Sequence, residues 1–102
     1  MSVAVFIEHR VRPGHRDDVR TVWERWLRPA IEQNDAHEAY AYTFDGDDAD
    51  VIRAFQQYRD AASATAFLET PAYRSYVAEV ESLLLGPPKV IRADVIWTKP
   101  RR

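Results

Sequence analysis

Three polar side chains set in apolar, strand-like stretches of this chain could do chemistry: His9, Gln56 and Tyr58. His9 follows Val3, Val5 and Ile7 at every second position, so on an extended chain it shares their face. Histidine titrates near neutrality, which makes His9 the best proton acceptor available. Gln56 and Tyr58 share a strand face in the same way and could hydrogen-bond a hydroxyl or carbonyl of a small molecule. Trp23, Trp26, Tyr73 and Tyr76 recur at helical spacing and could wall a pocket above those strands. Each feature also has a purely structural alternative. His9 can be a hydrogen-bonded histidine at the rim of a core, Gln56 and Tyr58 a satisfied polar pair beneath the helices, and the aromatic stripe plain core.

Other charged groups point to structure or solvent. Arg53 and Arg92 lie on strands, where they could balance a phenolate but pair more simply with Glu8 or Asp94 across the sheet. His15 and His37 fall at turn edges and read as surface residues. No two histidines have metal-ligand spacing and no cysteine is present, so no metal site is expected. The acidic run DGDDAD at 45–50 offers clustered oxygens, but it lacks the calcium-loop spacing and the closing Glu, and reads as a solvated hairpin turn.

The elements that must position these residues are legible from periodicity and breakers. Residues 2 to 11 alternate as a strand, and Pro13-Gly14 ends it. Residues 16 to 32 place Val19, Val22, Trp23, Trp26, Leu27, Ala30 and Ile31 on one helical face, with Asp17 and Asp18 in the first turn and a kink expected at Pro29. Strands follow at 36–44, carrying Tyr40, Tyr42 and Phe44, and at 51–59. Asp60 caps a short helix. Thr70 and Pro71 open a longer one to about Leu85, with Tyr73, Tyr76, Val77, Val80 and Leu84 on one face, stopped by Gly86-Pro87-Pro88. A last strand covers 89–98.

This order, strand-helix-strand-strand-helix-strand, predicts an α+β, ferredoxin-like βαββαβ fold: one antiparallel sheet with the helices on one face. Both parities of the first and last strands are substantially apolar, which a sheet face open to water would not favour. A homodimer with its two open faces meeting in a shared, barrel-like core resolves this.

The 102 residues are 46% hydrophobic and 29% charged, enough for a single domain spanning 1–102 that buries roughly two-thirds of its unfolded surface. The net charge of −2, with acidic and basic residues interspersed, leaves no basic stripe for nucleic acid, and Lys99, Arg101 and Arg102 read as a solvated tail. No apolar run approaches the ~20 residues of a membrane span. The opening MSVAVFIEHR reads as a strand and not a secretory signal, so the cytoplasm is the expected compartment.

With Tyr58-Arg59-Asp60, the Ala-rich helix after it and Thr70-Pro71-Ala72-Tyr73 in place, the chain resembles the antibiotic biosynthesis monooxygenase (ABM) family of small dimeric α/β-barrel proteins. The resemblance runs from the opening strand and Val11-Arg12-Pro13-Gly14 to Leu84-Leu85-Gly86-Pro87-Pro88. It implies oxidation of a phenol, quinol or anthrone by O2 with no flavin, haem or metal. His9, Gln56 and Tyr58 would then be catalytic, and Trp23, Trp26, Phe67, Tyr73 and Tyr76 would bind a small aromatic substrate. Two positions depart from the family pattern: Gln56 stands where a Glu is common, and Phe67 where a His is common in the short helix. Both remove an ionisable group from the implied pocket. The haem-degrading relatives use an Asn, a Trp and a ligating His. Here His9 and Tyr58 match the first two positions, and no histidine follows in the last helix, so haem degradation is not expected. A non-catalytic dimer binding a small aromatic ligand, or a polyketide-type isomerase or cyclase, would use the same pocket.

Overall fold

The computed structural model describes residues 1–100, so Arg101 and Arg102 of the expected tail lie outside the described residues. Along the chain run β1 (Val3–Arg10), α1 (Arg16–Gln33), β2 (His37–Phe44), β3 (Val51–Tyr58), α2 (Ala61–Phe67), α3 (Pro71–Val80) and β4 (Lys89–Asp94). The strands form one antiparallel sheet in the order β2-β3-β1-β4. This is the α+β ferredoxin-like arrangement that the element order predicts. No helix among the described residues is long and apolar enough to cross a membrane.

Local chemistry fixes the element boundaries. Thr70 Oγ1 accepts the Tyr73 N–H at 3.3 Å, and Pro71 occupies the first turn of α3. Asp60 accepts the Ser63 N–H at 2.7 Å and starts α2. Gly14, at φ +83°, turns the chain between β1 and α1 in a conformation that side chains disfavour. Helix α1 continues through Pro29 to Gln33.

Two boundaries differ from the sequence pattern. Helix α3 stops at Val80 and passes through one 3-10 turn, Glu81–Leu83, although the apolar spacing extends to Leu84. The cause is tertiary. Leu84 adopts an extended conformation and bridges Val11, while Arg12 N–H donates to Leu83 O and Leu85 N–H to Arg10 O. Strand β4 ends at Asp94, short of 98, and among the described residues beyond it only Val95 N–H pairs back, to Ser2 O.

On the helix side of the sheet, Val3, Val5, His9 and Val11 of the first strand segment meet Ile52, Gln56 and Tyr58 of β3 under Val19, Val22, Leu27, Tyr76 and Val80. The other face carries an apolar group in which the Phe6 and Phe55 rings lie 5.3 Å apart beside Ile91. Phe6 and Ile91 are 45% and 50% exposed there. Arg53 pairs across this face with Glu8 at 3.0 Å and also with Asp45, the structural role expected of it. Arg92 makes no ion pair among the described residues.

Candidate functional site

Register decides what the site contains. On the helix side, one row across the sheet reads Tyr42, Ala54, Ile7, Val90 from β2 to β4. Ala54 is the small member at the middle of this row, and above it a cavity of about 450 Å³ remains between sheet and helices. Trp23 and Leu27 of α1 and Tyr73, Tyr76 and Val80 of α3 wall it, with Phe67 from α2. Leu84 and Pro87-Pro88 form part of its rim.

Two polar clusters face each other across this floor. One strand row beyond it lies His9, opposite Ile52; one row before it lies Gln56, opposite Val5 and Tyr40. Four residues of strand separate the two rows, roughly 13 Å. His9 and Gln56 therefore belong to opposite ends of one cavity and do not form a single cluster.

At the first end, His9 is 8% exposed, and its Nε2 lies 3.2 Å from the Tyr76 hydroxyl. Its Nδ1 is buried with no hydrogen-bond partner among the described residues. Burial lowers the His9 pKa to about 4, so the imidazole is neutral at physiological pH. The Tyr42 hydroxyl is likewise buried and unpartnered, with its ring stacked on Trp23 at 4.2 Å.

At the second end, Gln56 Oε1 accepts from the Tyr58 hydroxyl at 2.5 Å and bonds His37 Nε2 at 3.1 Å. Tyr58 is almost wholly buried behind Gln56 and does not line the cavity. His37 is not the surface residue its place beside a turn suggests. Its ring packs against Tyr58 and Phe67, with centroids 4.3 and 4.7 Å away, and burial lowers its pKa despite the Gln56 hydrogen bond. The sequence signal was the parity of β2, which puts Tyr40 and Tyr42 toward the helices. His37 reaches the same side through an irregularity in pairing between His37 and Ala39.

Of the residues singled out by sequence, His9, Gln56, Trp23, Phe67, Tyr73 and Tyr76 line this one cavity, and Tyr58 supports it from behind. Trp26 lies outside it. It is 36% exposed, and its indole N–H donates to Glu79 at 3.1 Å. Tyr40 and Tyr42 are cavity residues that the sequence reading placed on a strand and did not assign to the site. Tyr40 accepts from Trp23 Nε1 at 3.1 Å, and burial raises its pKa to about 12. Burial also raises the pKa values of Tyr42, Tyr58, Tyr73 and Tyr76, so the phenols around the cavity stay neutral. The wall is thus apolar and aromatic, with a few uncharged hydrogen-bonding groups at its two ends. Such a wall suits a planar aromatic ligand carrying one or two oxygens.

A family model described as "Antibiotic biosynthesis monooxygenase" matches residues 2–79. Among solved structures, Rv0793 of Mycobacterium tuberculosis superposes with a TM-score of 0.86 at 23% identity, covering 98% of this chain and 100% of its own. A protein of unknown function from Nitrosomonas europaea gives 0.84 at 19% identity, over 99% of this chain and 95% of its own. The PA3566 protein of Pseudomonas aeruginosa gives 0.82 at 17% identity, over 94% and 95%. At these identities the structures share the fold. No curated protein matches the chain significantly.

Proposed function

The chain belongs to the antibiotic biosynthesis monooxygenase family, and on that premise we propose that it oxidises a phenolic, quinol or anthrone-type molecule with O2, without a bound cofactor. The observation that carries the reading is the aromatic-walled cavity with the neutral His9–Tyr76 pair at one end and the Gln56 amide at the other. An electron-rich hydroxyarene is a poor reductant of O2 until it loses its proton. In the His9 tautomer with its proton on Nδ1, the Tyr76 hydroxyl donates to His9 Nε2, 3.2 Å away, and a ligand proton passes to Tyr76 as the Tyr76 proton passes to His9. The resulting anion offsets the burial that disfavours imidazolium, because the two opposite charges form together in an apolar site. The anion then gives its electrons to O2. One oxygen atom becomes a new ring oxygen and the other leaves as water, taking two hydrogens: both from the CH2 carbon of an anthrone, or one from the ring carbon and one from the hydroxyl of a phenol. Exclusion of bulk water by the aromatic walls protects the reactive anion. The same reading takes the functional unit to be a homodimer joined through the Phe6, Phe55 and Ile91 face.

One observation favours a second reading, a dimer that binds an aromatic ligand without turnover. With the His9 pKa lowered to about 4 and the surrounding phenols neutral, no group deep in the cavity is a strong base. Oxygen-electrode recordings with anthrone and a panel of dihydroxynaphthalenes, with no cofactor added, separate the two. Oxygen consumption with one 18O atom from 18O2 in the quinone product supports oxidation. Binding of these compounds with no uptake refutes it and leaves the binding reading.

A further inference from the structure

The Gln56 amide could face the cavity either way round, and the direction determines what the cavity recognises. An NH2 group would take a carbonyl or anionic oxygen, whereas a C=O would take a hydroxyl. The direction is set three links away, at a backbone group. Ala36 N–H can only donate, and it bonds Asn34 Oδ1 at 3.2 Å. This turns Asn34 Nδ2 toward His37 Nδ1, 2.9 Å away. An amide NH2 also only donates, so His37 Nδ1 must be the nitrogen bearing the lone pair. The proton of the neutral ring is then on Nε2, which donates to Gln56 Oε1 at 3.1 Å. The Tyr58 hydroxyl donates to the same oxygen. Both lone pairs of Oε1 are used. Gln56 Nε2 has no hydrogen-bond partner among the described residues, is not sealed from the cavity, and belongs to a side chain that lines it. Reversing any link would set two donors head to head, and a protonated His37 would aim Nδ1–H at the Asn34 NH2 group. Contacts with Tyr58 on one side and the Phe67 ring edge-on beside it restrain the His37 ring in the relay.

We propose that Asn34 and His37 are positioning residues that lock Gln56 with its amide N–H groups toward the cavity, so that the site selects planar aromatic ligands presenting a ring carbonyl or phenolate oxygen at that end. The proposal rests on the cavity being the ligand site and does not depend on the oxidation step. It gives the departure at position 56 a purpose. A carboxylate there would repel the oxygen of an anionic ligand, and the carboxamide hydrogen-bonds it.

Two measurements test it without turnover. In 15N-histidine NMR at pH 7.5, His37 should be the neutral Nε2–H tautomer; an Nδ1–H tautomer or an imidazolium overturns the relay. In binding assays, 9-fluorenone, whose only polar group is a ring carbonyl, should bind roughly ten-fold tighter than fluorene, the gain of one buried hydrogen bond. Gln56→Met should bring fluorenone to within about two-fold of fluorene, both measured on the same variant. If wild type does not discriminate, or the preference survives Gln56→Met, the recognition role is overturned. If neither compound binds, the cavity reading fails and the proposal falls with it. Oxygen consumption by another substrate would still be scored separately.

Discussion

Acidification should destabilise this protein through His9 in a way that can be isolated and sized. The folded pKa of His9 is about 4, against an ordinary 6.5, because its ring is buried beside Tyr76 with Nδ1 unpartnered. The folded chain therefore binds its proton later than the unfolded chain. Between these two values the unfolded state holds more protons, so stability falls as pH falls. Above about pH 7 neither state is protonated and the effect vanishes. At about 1.4 kcal/mol per pH unit, the gap of some 2.5 units amounts to about 3 kcal/mol at pH 4, of which about 2 kcal/mol is already lost at pH 5. Burial lowers the His37 pKa as well, and it contributes with the same sign. The measurement is thus a difference: urea unfolding of wild type and of His9→Gln at pH 7.5, 6, 5 and 4.5. Glutamine can still bond the Tyr76 hydroxyl but does not titrate, and contributions from other groups cancel to the extent that they are independent of His9. The stability of wild type relative to the variant should drop by about 2 kcal/mol from pH 7.5 to 5, a relative midpoint change on the order of 1 M urea. A difference that stays flat across this range, or an NMR titration placing His9 near 6.5, refutes the argument.

Further outcomes are expected at four positions. Thr70→Ala removes the cap on α3 and should cost about 1 kcal/mol in thermal or urea unfolding, while Thr70→Ser should retain most of it. Trp23→Phe deletes the indole bond to Tyr40 and alters the cavity wall, so it should weaken binding of any aromatic ligand several-fold. Trp26→Phe loses only an exposed bond to Glu79, so it should leave binding unchanged and stability within about 0.5 kcal/mol, as isothermal calorimetry and urea melts can check. Phe6→Glu places a charge on the apolar sheet face proposed to join two copies, and light scattering should show a dimer for wild type and a monomer for the variant; a wild-type monomer refutes the proposed dimer.

What the sequence determined by itself was local. Strand parity placed His9 with Val3, Val5 and Ile7, and Gln56 with Tyr58, and both pairs of assignments follow from a two-residue period that needs no partner strand. The Thr70-Pro71 start and the Asp60 cap depend on groups within three residues of each other, so they too were legible. The order of elements was enough for the ferredoxin-like topology. Only the tertiary structure decided which side chains meet. His9 and Tyr76 are 67 residues apart and His37 and Gln56 19 apart, and no periodicity encodes a contact across such separations. The end of α3 was misplaced because Leu84 keeps helical spacing in the sequence, whereas its backbone pairs with Val11 across the fold. His37 beside a turn reads as exposed because local polarity does not reveal the aromatic rings of Tyr58 and Phe67 that pack against it. Strand register, which carries no signature within a single strand, put His9 and Gln56 at opposite ends of one cavity. It also placed His37 where a chain of hydrogen bonds could fix the direction of the Gln56 amide.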